Sequence, residues 1–130
     1  MIPVILSIAI AWLLAQCVLK SLIASIKARR FVPEAVWWQG GMPSGHAALV
    51  GALCAAIAKA QGFDSVSFAI SVVFSALVLY EALVTRNILM HESEVLQSLT
   101  KKRVKAVVGH TVNEVIVGLV IGAGLVWYVS

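Results

Sequence analysis

Charge is what this sequence has least of. Asp, Glu, Lys and Arg make up 12% of its 130 residues, while 61% are hydrophobic. Soluble domains carry roughly twice that share of charge and about 45–50% apolar residues. The surplus apolar surface has no place in water, which excludes an ordinary soluble domain and points to an integral membrane protein. Cysteine is nearly absent. Cys17 and Cys54 both lie in apolar runs, where a thiol behaves as a small hydrophobe, and two cysteines build neither a disulfide framework nor a cysteine-based metal site. No basic stretch precedes the first apolar run, so a retained span is expected there rather than a cleaved signal peptide. Acidic residues number six against ten Lys and Arg, giving a net charge of +4. The basic residues flank apolar spans with little aromatic interleaving. That argues against nucleic acid and for anionic headgroups or a phosphate substrate.

What is present is a set of long apolar runs. A helix needs about 20 apolar residues to cross the hydrocarbon layer. Spans are expected over about 2–24, 43–60, 66–84 and 111–128, in one domain of 130 residues. Pro43 is expected to open the second span as its first helical residue. Trp12 falls deep inside the first, where no interfacial role accounts for it. Ala47, Gly51 and Ala55 form one small-residue ridge and Ala48, Ala52 and Ala56 its neighbour. Such spacing lets membrane helices approach closely. Ser67, Ser71 and Ser75 share a stripe on the third span, and Gly118 and Gly122 pair on the fourth. Trp37 and Trp38 suit a headgroup layer. Between about 88 and 108, apolar residues alternate with His91, Glu92, Glu94 and Lys101 to Arg103, a pattern for an amphipathic segment on the membrane surface. The expected fold is therefore an all-α integral membrane helical bundle of about four transmembrane helices plus an interfacial amphipathic helix.

Loop charge sets the topology. Lys27, Arg29 and Arg30 lie in the first loop, and Arg86, Lys101, Lys102, Arg103 and Lys105 in the third; the middle loop has only Lys59 against Asp64. With four spans the two basic loops share a side, and the excess of positive charge assigns it to the cytoplasm of an inner or plasma membrane. Lys20, Ser44, His46, Arg86, His110 and Glu114 then gather at one membrane face.

Two short stretches there carry chemistry. In Gly40-Gly41-Met42-Pro43-Ser44-Gly45-His46, glycines precede a helix start, whose free amides and dipole attract anions. Ser44 adds a hydroxyl and His46 a proton donor. The same residues also fit a plain helix start with an interfacial histidine. In Gly109-His110-Thr111-Val112-Asn113-Glu114, Glu114 lies one turn beyond His110 and could fix its tautomer, leaving the other nitrogen as a nucleophile. Thr111 and Glu114 equally form a capping box, in which the carboxylate bonds the backbone instead. The two uses of Glu114 stand as rivals. Arg86 could clamp phosphate or pair with Glu81.

Taken together, Gly40 to Ala47, Tyr80-Glu81-Ala82 followed by Arg86, and Gly109-His110-Thr111 with Glu114, Val115 and Gly118 resemble the divergent branch of the type 2 phosphatidic acid phosphatase superfamily, which is related to acid phosphatases and vanadium haloperoxidases. The resemblance covers about residues 10–125. It implies a phosphatase that needs no metal or other cofactor. His110 matches the nucleophile that forms a phospho-histidine, Glu114 its orienting acid, and His46 the residue that protonates the leaving oxygen. Ser44 and Gly45 match the phosphate-binding motif, and Lys20 the lysine of the first classical motif, although Lys27-Ala28 stands where that motif has Arg-Pro. The classical arginine six residues before the nucleophile falls at Val104, so Arg103, its neighbour Lys105 or the more distant Arg86 is expected to supply the phosphate-binding cation. The implied substrate is a lipid phosphate or prenyl diphosphate among membrane lipids. A non-catalytic protein binding phospholipid headgroups or a partner by the same face is the alternative. The small-residue ridges and thin bundle also suit a homodimer.

Overall fold

The computed structural model describes residues 3–37, 41–102 and 109–129. Four long helical rods carry the chain, with no strand among the described residues. The first rod joins α1 (Val4–Leu13) through a π-helical stretch (Leu14–Leu19) to α2 (Lys20–Ala28). A 3-10 turn (Pro33–Trp37) follows, then α3 (Gly45–Gln61). The third rod joins α4 (Val66–Tyr80) through a second π-helical stretch (Glu81–Thr85) to α5 (Arg86–Thr100), and α6 (Val112–Val129) ends the chain. Three helical runs, Leu6–Ala28, Val66–Thr100 and Val112–Val129, are long and apolar enough to cross a membrane. Side chains such as Leu13, Val18, Ile70, Val73, Leu77 and Val120 point outward, as lipid-facing residues do.

The second rod, α3, is shorter and less apolar than the other three, and it is the centre of the bundle. Its largest contact is with α6, followed by α4 and α1. Small residues make this possible. Ala47, Ala48, Gly51, Ala52 and Ala56 are all buried within the chain, so most of both ridges packs inside the bundle, while Ala55 is half-buried. A methyl group on Gly118 would lie 2.5 Å from the Ser44 carbonyl oxygen, and one on Gly51 would lie 2.6 Å from that of Leu119. At Gly122 it would overlap the Ala48 carbonyl. Ala11, Ala52, Ala56 and Val126 form the core at the far end from the two motifs. With lipid as apolar as any side chain, close van der Waals approach replaces the hydrophobic effect as the cohesive force. The serine stripe serves the same end. Ser71 and Ser75 are buried, donate to the carbonyls of Phe68 and Ser71, and bring the Ser75 hydroxyl to 3.2 Å from Cys54 Sγ.

Two boundaries differ from expectation. The second rod starts at Gly45, not Pro43, because the Ser44 hydroxyl accepts from the Ala47 amide at 3.3 Å and so takes the N-cap position. The amphipathic segment begins as an unbroken extension of the third rod. Val66–Thr100 is one helix of 35 residues, about 50 Å long, against a hydrocarbon layer of roughly 30 Å. Its α5 part buries no residue and projects past the bundle. The rest of that segment, 103–108, lies outside the described residues, as do Trp38, Gln39 and Gly40.

Candidate active site

Lys20 follows the first π-helical stretch, Gly45 opens α3, Arg86 follows the second π-helical stretch, and His110 precedes α6. The antiparallel rods therefore bring all four to one end of the bundle. They line a single cavity of about 1040 Å³ together with His46 and Gln16. Each cation sits directly after a π-helical stretch. Such a widened turn shifts the phase of the residues that follow and recurs at functional sites. Nothing in the apolar patterning signals it.

His110 is buried, 3% exposed. Its Nδ1 lies 3.0 Å from Glu114 Oε2. The same oxygen accepts the Thr111 amide at 3.1 Å, while the Glu114 amide donates to Thr111 Oγ1 at 3.3 Å. The capping box and the histidine–carboxylate pair thus coexist. A carboxylate oxygen has two lone pairs, and with His110 immediately before the cap both donors reach one atom. The helix start and the imidazole are fixed by the same group.

The opposite wall is tied to this one. The Ser44 amide donates to the Glu114 carbonyl at 3.1 Å, which locks the N-termini of α3 and α6 side by side. Ser44 itself is fully buried and its hydroxyl serves the cap, so its influence on a ligand runs through the helix it starts. His46 stands within electrostatic range of Arg86, Glu81, His110 and Lys20, and Lys20 within range of Glu114. Lys20 is buried, 3% exposed, and its Cε packs beside Gly41, whose φ of +82° favours glycine. Arg86 Nε donates to Glu81 Oε1 at 2.8 Å. That contact occupies one of five guanidinium donors and orients the planar group, so pairing with Glu81 and facing the cavity are compatible. Arg103 and Lys105 lie outside the described residues.

A family profile described as the Divergent PAP2 family matches residues 2–125. The chain belongs to the Divergent PAP2 family. It is also 35% identical over 97 residues to an uncharacterized membrane protein, YuiD, of Bacillus subtilis. That match covers 75% of this chain and 60% of the relative's length. No solved structure matches the chain.

Within this member of the Divergent PAP2 family, Asn87, which stands where the resemblance leads one to expect a second arginine, has a structural role that the sequence does not show. Its Nδ2 donates to the Leu83 carbonyl at 2.6 Å and the His110 carbonyl at 3.1 Å. Gly109 leaves room for it, since a methyl group there would overlap Asn87 Oδ1. The His110 amide also donates to the Ala82 carbonyl at 3.4 Å, so the loop before α6 is held to the second π-helical stretch from two sides. The one available signal was a polar residue directly after Arg86. Asn87→Ala is expected to lower stability by about 1–3 kcal/mol, because two carbonyls lose their donor. Denaturant unfolding in mixed micelles measures it, and an unchanged midpoint would show the clamp to be idle.

Proposed function

We propose that the protein is a membrane-embedded phosphatase that hydrolyses a lipid phosphate or prenyl diphosphate through a phospho-histidine. The observation that carries this reading is the buried His110, paired with Glu114 and lining a cavity that also holds His46, Lys20 and Arg86. Glu114 accepts a hydrogen bond from Nδ1–H of His110, which leaves Nε2 unprotonated as the attacking nitrogen. Nε2 bonds to phosphorus, the phosphorus–oxygen ester bond breaks, and the departing oxygen takes a proton from His46. His46, now neutral, accepts a proton from water; the hydroxide displaces His110 from phosphorus and inorganic phosphate leaves. Lys20, the terminal nitrogens of Arg86 and the positive end of α3 balance the charge on the transferring group. The clustering of positive charge in the first and third loops supports a cytoplasmic site in the inner or plasma membrane.

The test is phosphate release by purified protein in detergent from phosphatidic acid, phosphatidylglycerophosphate and a prenyl diphosphate. His110→Ala is expected to lower release by about 10³-fold or more, as loss of a nucleophile does. Acid-labile label retained on the wild type and absent from the variant would mark the intermediate. No release from any substrate, with headgroup binding intact, would favour a binding protein instead.

A further inference from the structure

We propose that Trp12 is the floor of a groove that gauges the aliphatic chain of the substrate. This rests on the phosphatase reading above and adds a specificity-determining residue to it. The cavity is cationic in its middle, at Lys20, His46, Arg86 and His110; Ser25, Phe31 and Pro33 lie beyond Lys20 on one side, and Trp12, Leu13, Gln16, Cys17 and Val18 form a mainly apolar arm along the first rod on the other. Leu13, Val18 and Leu22 are also exposed to the surroundings of the bundle, so the groove opens sideways into the bilayer. Charge complementarity fixes the occupant's orientation: a phosphate monoester head at Lys20 and Arg86, its tail along α1. The groove stops at Trp12 and Leu13, since among the described side chains none of Val4–Ala11 lines it. Trp12 is half-buried and stands more than two turns inside the helix that begins at Val4. That places it in the hydrocarbon layer, away from the headgroup belt where tryptophan is usual. Eight residues separate Trp12 from Lys20, a distance of about 12 Å, which an extended chain of roughly ten methylenes would span. A longer chain meets the indole and has to turn out past Leu13 into lipid.

The test uses n-alkyl monophosphates from octyl to hexadecyl, supplied below their micelle concentrations to the full protein in detergent. In the wild type kcat/KM is expected to rise with each methylene by about fourfold at most, the value of one buried CH₂. Past the groove's length it is expected to fall by about tenfold, the low end of what a pocket exacts for an extra methylene. Trp12→Ala is expected to move that break to longer chains. A break at the same length in the variant, or no break in the wild type, would overturn the proposal. Binding decides the matter if no phosphate is released at all. Alkyl phosphates brominated at successive carbons should quench the fluorescence lost in Trp12→Phe most strongly when bromine lies near the tenth carbon, and Lys20→Met should abolish that position dependence. Equal quenching at every position would mean the tail lies in the micelle and not in the groove. Position-dependent quenching without turnover would keep the groove and discard the phosphatase.

Discussion

Gly122→Leu is expected to leave almost no folded protein. A single methyl group at this position already overlaps the Ala48 carbonyl on α3, and neither partner can yield, because the carbonyl belongs to one helix backbone and the methyl has a fixed place on the other. Overpacking a closed core costs typically about 1–3 kcal/mol when side chains can shift. Here the rods themselves must separate, so a loss of at least about 3 kcal/mol is expected, a large share of the usual stability of a small domain. The damage reaches the site, because α3 and α6 also carry the Ser44 amide and the Glu114 carbonyl that join its two walls. Gly124 provides the comparison: nothing lies within 4 Å of a methyl group there, and Gly124→Leu is expected to change stability by no more than about 0.5 kcal/mol. Unfolding midpoints in mixed micelles, with size-exclusion profiles, measure both. Equal midpoints for the two variants would show that α3 and α6 do not pack as closely as described.

On the proposed phosphatase reading, Glu114→Gln is expected to reduce phosphate release by up to about 10⁴-fold, the loss seen when a carboxylate that holds a catalytic histidine becomes an amide. The glutamine oxygen still accepts from the Thr111 amide, so most of the cap survives. What is lost is the charge that holds a proton on Nδ1 and stabilises the imidazole as it bonds to phosphorus. Thr111→Ala does the reverse. It removes the hydroxyl that caps the Glu114 amide, costing about 1 kcal/mol of stability, and it leaves the His110–Glu114 contact in place. The pair of variants separates positioning from capping: Glu114→Gln should alter turnover far more than the midpoint, and Thr111→Ala the midpoint more than turnover. If both moved only the midpoint, Glu114 would be a structural cap and no more.

Much of the bundle was legible because bilayer thickness turns length and polarity into spans, and small-residue spacing turns into contact. The small residues from Ala47 to Ala56 and at Gly118 and Gly122 marked faces of close helix packing, and the structure pairs them with each other in the α3–α6 seam. The helix starts two residues after Pro43, since Pro43 suits a first turn but Ser44 supplies the hydroxyl that caps it. Asn87 and the two π-helical stretches were not legible. Their role depends on which carbonyls and side chains stand opposite, and a linear pattern does not carry that.

By itself, then, the sequence determined a four-rod membrane bundle and the gathering of Lys20, His46, Arg86, His110 and Glu114 at one end. Both follow from hydropathy and from the parity of antiparallel spans. Only the tertiary structure decided that Glu114 serves the cap and the imidazole through one oxygen, that Glu81 orients Arg86 without removing it from the cavity, and that Trp12 stands at the groove's end. Each of these is a matter of distances between side chains far apart in the chain or of two donors converging on one atom, and such distances exist only once the helices have packed.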